Sequence, residues 1–481
     1  GVGIYMIRRF FKLSLIFCLL IQTAWLYSAD KYSISKKRWN RSSYVFDIGA
    51  VPKITVVIKM ENWNKILLNF DENSRNEKEV SCDFIFEKNG VIETINEAGF
   101  RIRGNLSRRR PEGEKGELHN PDKPDYRHVH FRIDFNEYRK ANFHTLTSLN
   151  LKWFKDDSTF VREIYCYDLF HRFGVFTAPR SSYCRLYLKF VEEEKPVYYG
   201  LYEMVEPVDK QFIKTRFNAN KNSDNGDLWK CLWGANLRSP VGIGIEDPDG
   251  KKHRVNYDLK TNKKEFDRAK SALVEFIRNL NKLKGLNFAI WIEKNFDVDL
   301  FLKAQAVNVA VGMWDDYWAN NGNNYYLYFD EKGKGYFIPY DYDNTLGTSL
   351  VVKNSGLQDP FNWGSQKAPL INKILSIEKY RYRYNLYLKK LIKKENDYFD
   401  ADKSAARIKK WQDMIEPFLK NDLGVADVIE DKPAKWGNCA FYRLLSGNDS
   451  GLYPEANYFK TRIKTIKEAS SAPRRSFGTG K

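Results

Sequence analysis

The hydrophobic pattern changes period part-way along this chain, and that change restricts the fold more than any single motif does. From Val51 to about Leu201 the apolar residues alternate, in ITVVIKM, VSCDFIFEK, GFRIRGN, VHFRIDF, SLNLKW and CRLYLKF, which is the period of mostly antiparallel strands. One helix is predicted inside this half. Asp157-Ser158 caps a run in which Val161, Ile164, Tyr165, Leu169 and Phe170 keep helical spacing as far as Gly174. From about Phe266 the spacing becomes helical, in FDRAKSALVEFIRNLNKL, VDLFLKAQAVNVAVGMW and residues 369–394. Strands gathered first and helices afterwards predict an α+β fold, a strand-rich lobe ahead of a helix-rich one.

With 481 residues, 43% of them hydrophobic, the chain can bury a large core. Its 79 Lys+Arg against 61 Asp+Glu give a formal net charge of +18. The cations are scattered, with no run of five and no zinc-knuckle spacing, so no nucleic-acid partner is expected. Arg8, Arg9 and Lys12 precede the apolar stretch LSLIFCLLIQTAWL and the small residues Ser28 and Ala29, the order of a secretory signal cleaved after Ala29. That stretch is shorter than the roughly 20 residues of a spanning helix. Residues 1–29 are therefore read as a signal peptide, and the mature chain as secreted or held in the cell envelope or periplasm without a stable membrane span. Beyond Ala29 stand five cysteines, Cys82, Cys166, Cys184, Cys231 and Cys439. An odd count leaves at least one thiol unpaired, and buried free cysteines are the expected state.

The chemistry concentrates between Met313 and Gly347. Asp315 and Asp316 open the passage, four asparagines follow, a hairpin turns at Lys332-Gly333-Lys334-Gly335, and Asp341-Tyr342-Asp343 closes it. Acids and amides that flank a hairpin converge in space, and their hard oxygens suit Mg²⁺ or Mn²⁺ beside phosphate. Asp316 and Asn321 have the D-x-x-x-x-N spacing of a kinase catalytic loop, with Asp341 as the second acid beyond a strand. Two other readings compete. Asp341-Tyr342-Asp343-Asn344-Thr345 also fits the D-x-D-x-T of haloacid-dehalogenase-type phosphatases, with Asp341 as nucleophile and Asp343 as acid/base. The mostly helical pattern of residues 348–470 lacks the second acidic cluster which that chemistry needs, and Pro339 interrupts what would be a central strand. A D-x-D that chelates Mn²⁺ for a sugar nucleotide lacks the α/β half that should precede it. Neither G-x-G-x-x-G nor a P-loop occurs, and Gly242-Ile243-Gly244-Ile245 is the nearest glycine-rich stretch.

Five ordered motifs carry a resemblance: RIRGNLS from Arg101 to Ser107, LNLKWFKDDSTFVRE from Leu149 to Glu163, YYGLYEMVEPVDKQFIK from Tyr198 to Lys214, GDLWK from Gly226 to Lys230, and the passage from Asp316 to Gly347. Together they are similar to the CotH kinase family, the spore-coat-protein-H-like atypical kinases, from about Val51 to beyond Tyr380. The resemblance implies a divergent two-lobed protein-kinase-like fold that moves the γ-phosphate of ATP to Ser or Thr of exported proteins. It implies a domain at 51–470 whose lobes meet near residue 206; composition alone marks a polar linker at 30–50 and a basic, disordered tail at 471–481. Asp316 resembles the catalytic-loop acid and Asp341 the metal-binding acid, with Asp343 beside it.

The chain departs from the family pattern in two places. The link from Asp316 to Asn324 is about two residues longer, so Asn321 and Asn324 both stand as metal ligands, and Asp315 stands as an alternative to Asp316. The strand after the Arg-Gly-Asn motif reads Arg127-His128-Val129-His130-Phe131 and lacks the family's lysine. Lys152 is the nearest substitute, on a strand just before the helix of Glu163, where the two would pair across the donor's phosphates. Arg162 is the alternative phosphate holder. Arg103-Gly104-Asn105 and Arg108-Arg109-Arg110 are candidates to cover phosphate, and Glu206, at a strand exit, to lie near adenine. His128 and His130 share one strand face and are read as surface residues rather than metal ligands. The rival class is a non-catalytic envelope or adhesin-type binding protein, which the 15% aromatic content and the basic charge would suit.

Overall fold

Seven strands close on themselves in the order β1-β2-β3-β4-β5-β7-β6. They run over Lys53–Ile58, Val80–Lys88, Val91–Arg103, His130–Asp134, Ser148–Lys152, Ser181–Phe190 and Val197–Val205 for β1 to β7. All neighbours are antiparallel except β1 and β6, whose parallel pairing closes the barrel. The computed structural model describes residues 34–155, 157–217, 225–247, 254–419, 441, 443–446 and 458–471. The expected signal peptide, Cys439 and the tail beyond Ser471 lie outside them.

Alternation decides which side chains fill the barrel. Ile54, Val56 and Ile58 of β1 and Phe84 and Phe86 of β2 point inward among Phe100, Phe131, Tyr199 and Tyr202. Trp63, on the helix Met60–Glu72 that follows β1, plugs this core and donates its indole N–H to Glu112 at 2.6 Å. The residues between them on β3, β4, β5 and β7 point outward: Arg101, Arg103, Arg132, Asn150, Lys152 and Glu203. This polar outer face forms one wall of the site.

A second sheet, in the order β12-β11-β8-β10-β9, follows. Its strands are β8 at Asp227–Cys231, β9 at Ile243–Gly244, β10 at Tyr257–Leu259, β11 at Tyr325–Phe329 and β12 at Gly335–Pro339. Helices Phe266–Lys282, Gly285–Asn295 and Val298–Val311 lie between β10 and β11, and Pro369–Leu375, Glu378–Leu391 and Ala401–Leu419 come after β12. They share one core with Trp229, Leu259 and Leu327 of the sheet. The expected α+β composition is borne out. The sequence pattern showed the β11–β12 hairpin but not β8, nor β9 and β10, which at two and three residues are too short to display a period.

Two local expectations need correction. Lys36–Ser43 lies within the span read as linker and forms a helix, because Trp39, Val45 and Phe46 are apolar anchors in a polar stretch. Val45 and Phe46 are buried, and the Arg180 guanidinium stacks 4.2 Å from the Trp39 ring. The helix predicted after Asp157 begins later, at Arg162, although Asp157 still caps it by accepting the N–H groups of Val161 at 2.9 Å and Arg162 at 2.8 Å. Among the described residues, Cys82, Cys166, Cys184 and Cys231 are buried free thiols, as expected.

The long β3–β4 connection is pinned to the barrel by a buried histidine. His119 lies 2.9 Å from Glu112 through Nδ1 and 2.5 Å from Glu193 through Nε2, with its ring 4.1 Å from that of Phe190. Burial opposes its charge, but hydrogen bonds to Glu112 and Glu193 outweigh it and raise the pKa. A raised folded pKa stabilises fully below the unfolded value of about 6.5 and loses that contribution as pH rises through the folded value. Urea midpoints compared at pH 6 and pH 9 should show a larger fall for the wild type than for His119→Gln. Equal falls would mean that His119 is neutral throughout.

Candidate functional site

Three elements meet at Lys152. It is the last residue of β5, and its ammonium bonds Glu163, in the first turn of the helix Arg162–Arg172, and Asp341, just past β12. Asp343 lies 3.1 Å from the same nitrogen. Glu163 also accepts the Tyr342 N–H at 3.2 Å, which fixes the backbone between the two aspartates. Asp341 itself adopts a left-handed φ of 63° and donates its N–H to the Tyr167 hydroxyl at 3.0 Å. Aspartate is one of the few residues besides glycine that adopts this conformation readily, and the Tyr167 hydroxyl holds it there.

The charges do not balance. Glu203 lies directly across β7 from Lys152, buried, with Oε1 receiving no hydrogen bond. Burial, then the neighbouring Glu163, raises its pKa well above the carboxylate range. Lys152 stays charged, since Asp341, Asp343 and Glu163 overcome its burial, and that ammonium in turn lowers the pKa of Asp341 against the effect of burial. One ammonium thus faces four carboxyl groups. Ligand oxygens of Glu163, Asp341 and Asp343 all lie within 4.8 Å of one another, a donor set that fits a hard divalent cation.

The hairpin register brings the asparagine loop to this cluster. Tyr325 pairs with Pro339, so residues 323 and 324 run alongside 340 and 341. Asp315 gathers that loop: its Oδ1 accepts from Asn320 at 2.6 Å and Asn323 at 3.1 Å, and its Oδ2 from Asn324 at 3.1 Å. It is half-buried, and its pKa is raised by burial and, despite the asparagine bonds, by Asp341. Asp316 points the other way. It is 2% exposed, with Oδ2 bonded to Asn308 at 2.8 Å and Oδ1 to the N–H groups of Trp318 at 3.2 Å and Ala319 at 2.8 Å. Burial pushes its pKa up to about 7 in spite of these bonds. A pKa near 7 suits an acid/base group, but this carboxylate is buried and spends both oxygens on internal donors.

Several predicted residues lie elsewhere. Asn321 is exposed and accepts from Asn236 at 3.0 Å, while Asn324 donates to Asp315 at 3.1 Å. Glu206 is clamped between Arg180 and Arg216, 2.6 Å from each, which commits both oxygens. Arg162 is buried against Asp157 and the Thr345 carbonyl. Arg108 binds Glu77 at 2.6 Å, Arg109 the His128 carbonyl at 2.6 Å and Arg110 the Asp71 carboxylate at 2.9 Å. These three arginines fasten the β3–β4 connection instead of projecting over the cleft. Arg103 does reach the site, donating to the Tyr340 hydroxyl at 3.0 Å next to Asp341.

The histidines are not surface residues either. His130 is buried and accepts the Trp153 N–H at 2.9 Å, and His128 stacks on the Trp153 ring at 5.5 Å. Burial, with Arg109 nearby, takes the pKa of His128 down to about 3. Glu203 was missed because it reads as one more strand residue in YYGLYEMVE. Its register opposite Lys152 is the signal that finds it.

An α+β chain with a lysine–carboxylate cluster between a barrel strand, a helix and a hairpin is the class that fold and site define. The family model described as CotH kinase protein matches residues 100–464, and the chain belongs to that family, as its motifs indicated. It is 24% identical over 251 residues to spore coat protein homolog 1 of Rhizopus delemar, covering 50% of this chain and 38% of that protein. It is 25% identical over 207 residues to invasin CotH3 of the same fungus, covering 42% of this chain and 32% of that protein. The alignments thus span about a third of the length of each relative.

Proposed function

We propose that the Lys152–Glu163–Asp341 cluster binds ATP with Mg²⁺ or Mn²⁺ and transfers the γ-phosphate to a serine or threonine hydroxyl of an exported protein. The observation that carries this is the ammonium of Lys152 clamped by acids from two other elements, with Asp315 and Asn324 across the hairpin from Asp341. On this reading the barrel and the helical region are the two lobes of a kinase-like fold, and export rests on the signal peptide read from residues 1–29. Among the described residues no helix is long and apolar enough to cross a membrane.

Asp341, Asp343 and Asn324 would hold the cation. The cation would offset the negative charge of the phosphates and of the group being transferred. Lys152, oriented by Glu163, and Arg103 bind the transferring phosphate, and the asparagines hold Asp315 toward the acceptor. The hydroxyl oxygen attacks phosphorus as Asp315 takes its proton, the bond to the β–γ bridging oxygen breaks, and ADP leaves. Asp315 replaces Asp316 in this role because its carboxylate is the accessible one.

Calorimetric titration of Mg·ATP tests the binding half. Lys152→Met should weaken affinity about 10- to 100-fold, the worth of one charge-assisted hydrogen bond. Unchanged affinity would place the phosphates elsewhere. The name of invasin CotH3 favours a second reading, a binding protein that keeps the fold without chemistry, and absence of any Mg·ATP binding would select it.

A further inference from the structure

Strand β8 carries a lysine that the cluster above does not use. Lys230 pairs with Tyr326 of β11 on one side and Asp258 of β10 on the other, so the three side chains project from one face of the second sheet. That face looks toward the end of β3. The Tyr326 ring packs edge-on against Tyr340 at 5.1 Å, and the Tyr340 hydroxyl receives Arg103 at 3.0 Å.

The nearest carboxylates are committed to other cations. Asp258 accepts the Glu246 N–H at 2.9 Å through one oxygen and Lys260 at 2.7 Å through the other. Glu77 is held by Arg108 at 2.6 Å and Arg101 at 3.2 Å. Glu246 and Glu77 attract Lys230 without forming an ion pair with it, and among the described residues it has no ion-pair or hydrogen-bond partner. Its strongest charged neighbours are the cations Lys260 and Arg103. Burial first, and then those two, press its pKa down to about 8. A half-covered ammonium among like charges is electrostatically incomplete until an anion joins it.

We propose that Lys230 of the second sheet and Arg103 at the end of β3, which also borders the Lys152 cluster, form a phosphate-binding subsite at the edge of that cluster. Phosphate fits better than a single carboxylate because it offers several oxygens and up to two charges to two neighbouring cations, one of them a forked guanidinium. The phosphate belongs either to the nucleotide donor or to an acceptor already phosphorylated. The inference deepens the proposed transfer and rests on it through the shared Arg103, while Lys230 adds a residue that the transfer reading does not use.

The test is calorimetric titration of the full chain with inorganic tripolyphosphate, ADP and a phosphoserine peptide at pH 8, in two buffers of different ionisation heat. Lys230 is then about half neutral, so wild-type binding should take up roughly 0.5 proton. Lys230→Met should weaken tripolyphosphate at least 10-fold and abolish the uptake, while Lys230→Arg restores affinity without it. With tripolyphosphate weakened, a matching loss for ADP and not for the phosphopeptide assigns the nucleotide, and the reverse assigns the acceptor. Tripolyphosphate affinity and proton uptake unchanged in a Lys230→Met protein of wild-type melting temperature overturn the proposal, as does a wild type that binds none of the three. Intact Mg·ATP binding in either case leaves the transfer reading standing.

Discussion

Asp315→Asn should lower phosphate transfer by roughly 10²- to 10⁴-fold, the usual worth of a positioned acid/base group, and leave stability nearly unchanged. Asp316→Asn should unfold earlier in urea, by about 1–3 kcal/mol. The two acids are adjacent, and the turn that follows them sends one outward and one inward. Asp315 is half-buried, and its asparagine partners keep access to water. Asp316 satisfies two backbone N–H groups and the Asn308 amide in a closed pocket, and an amide in its place must set a donor against a donor. Transfer rates and urea midpoints measured on both variants check the assignment. A slow, stable Asp316→Asn beside an active Asp315→Asn would reverse it.

Glu206→Ala should cost about 3–5 kcal/mol, because deleting one partner of a buried ion pair leaves uncompensated charge in the interior. Here two guanidiniums would be stranded. Arg180 and Arg216 both bind Glu206 at 2.6 Å, and Arg216 also spans to the carbonyls of Phe176 at 2.8 Å and Ala178 at 2.9 Å. Burial works against the carboxylate, yet the two arginines hold its pKa well below the usual range. The triad ties the exit of β7 to the helix Lys210–Arg216 and, through Arg180, to Ser42 of the first helix at 2.7 Å. Urea unfolding is the measurement. A midpoint equal to wild type would show that Glu206 is free for a ligand, as its position at a strand exit had suggested.

What the sequence made legible follows from range. The pairing of Lys152 with Glu163 could be read because eleven positions separate them and a capped helix start fixes their relation. The meeting of Asp341 with the asparagine loop could be read because a tight hairpin sets its own register. Arg108 and Arg110 were misread as phosphate cover because their acids, Glu77 and Asp71, lie 31 and 39 positions away. The choice between Asp315 and Asp316 depends on backbone direction in a turn, and Glu203 enters the cluster only through strand order. Non-local pairing decided each of these cases, and hydrophobic period carries no information about it.

The measurement that bears most directly on the account is transfer from γ-labelled ATP, with Mg²⁺ or Mn²⁺, by the form beginning at Asp30 and by its Asp315→Asn variant. Self-labelling and a generic serine/threonine acceptor serve as readouts. Labelled Ser or Thr in the wild type, abolished by EDTA and at least 100-fold weaker in the variant, is the predicted result. Equal labelling of both proteins, or none in a wild type that is folded and supplied with metal, would contradict it.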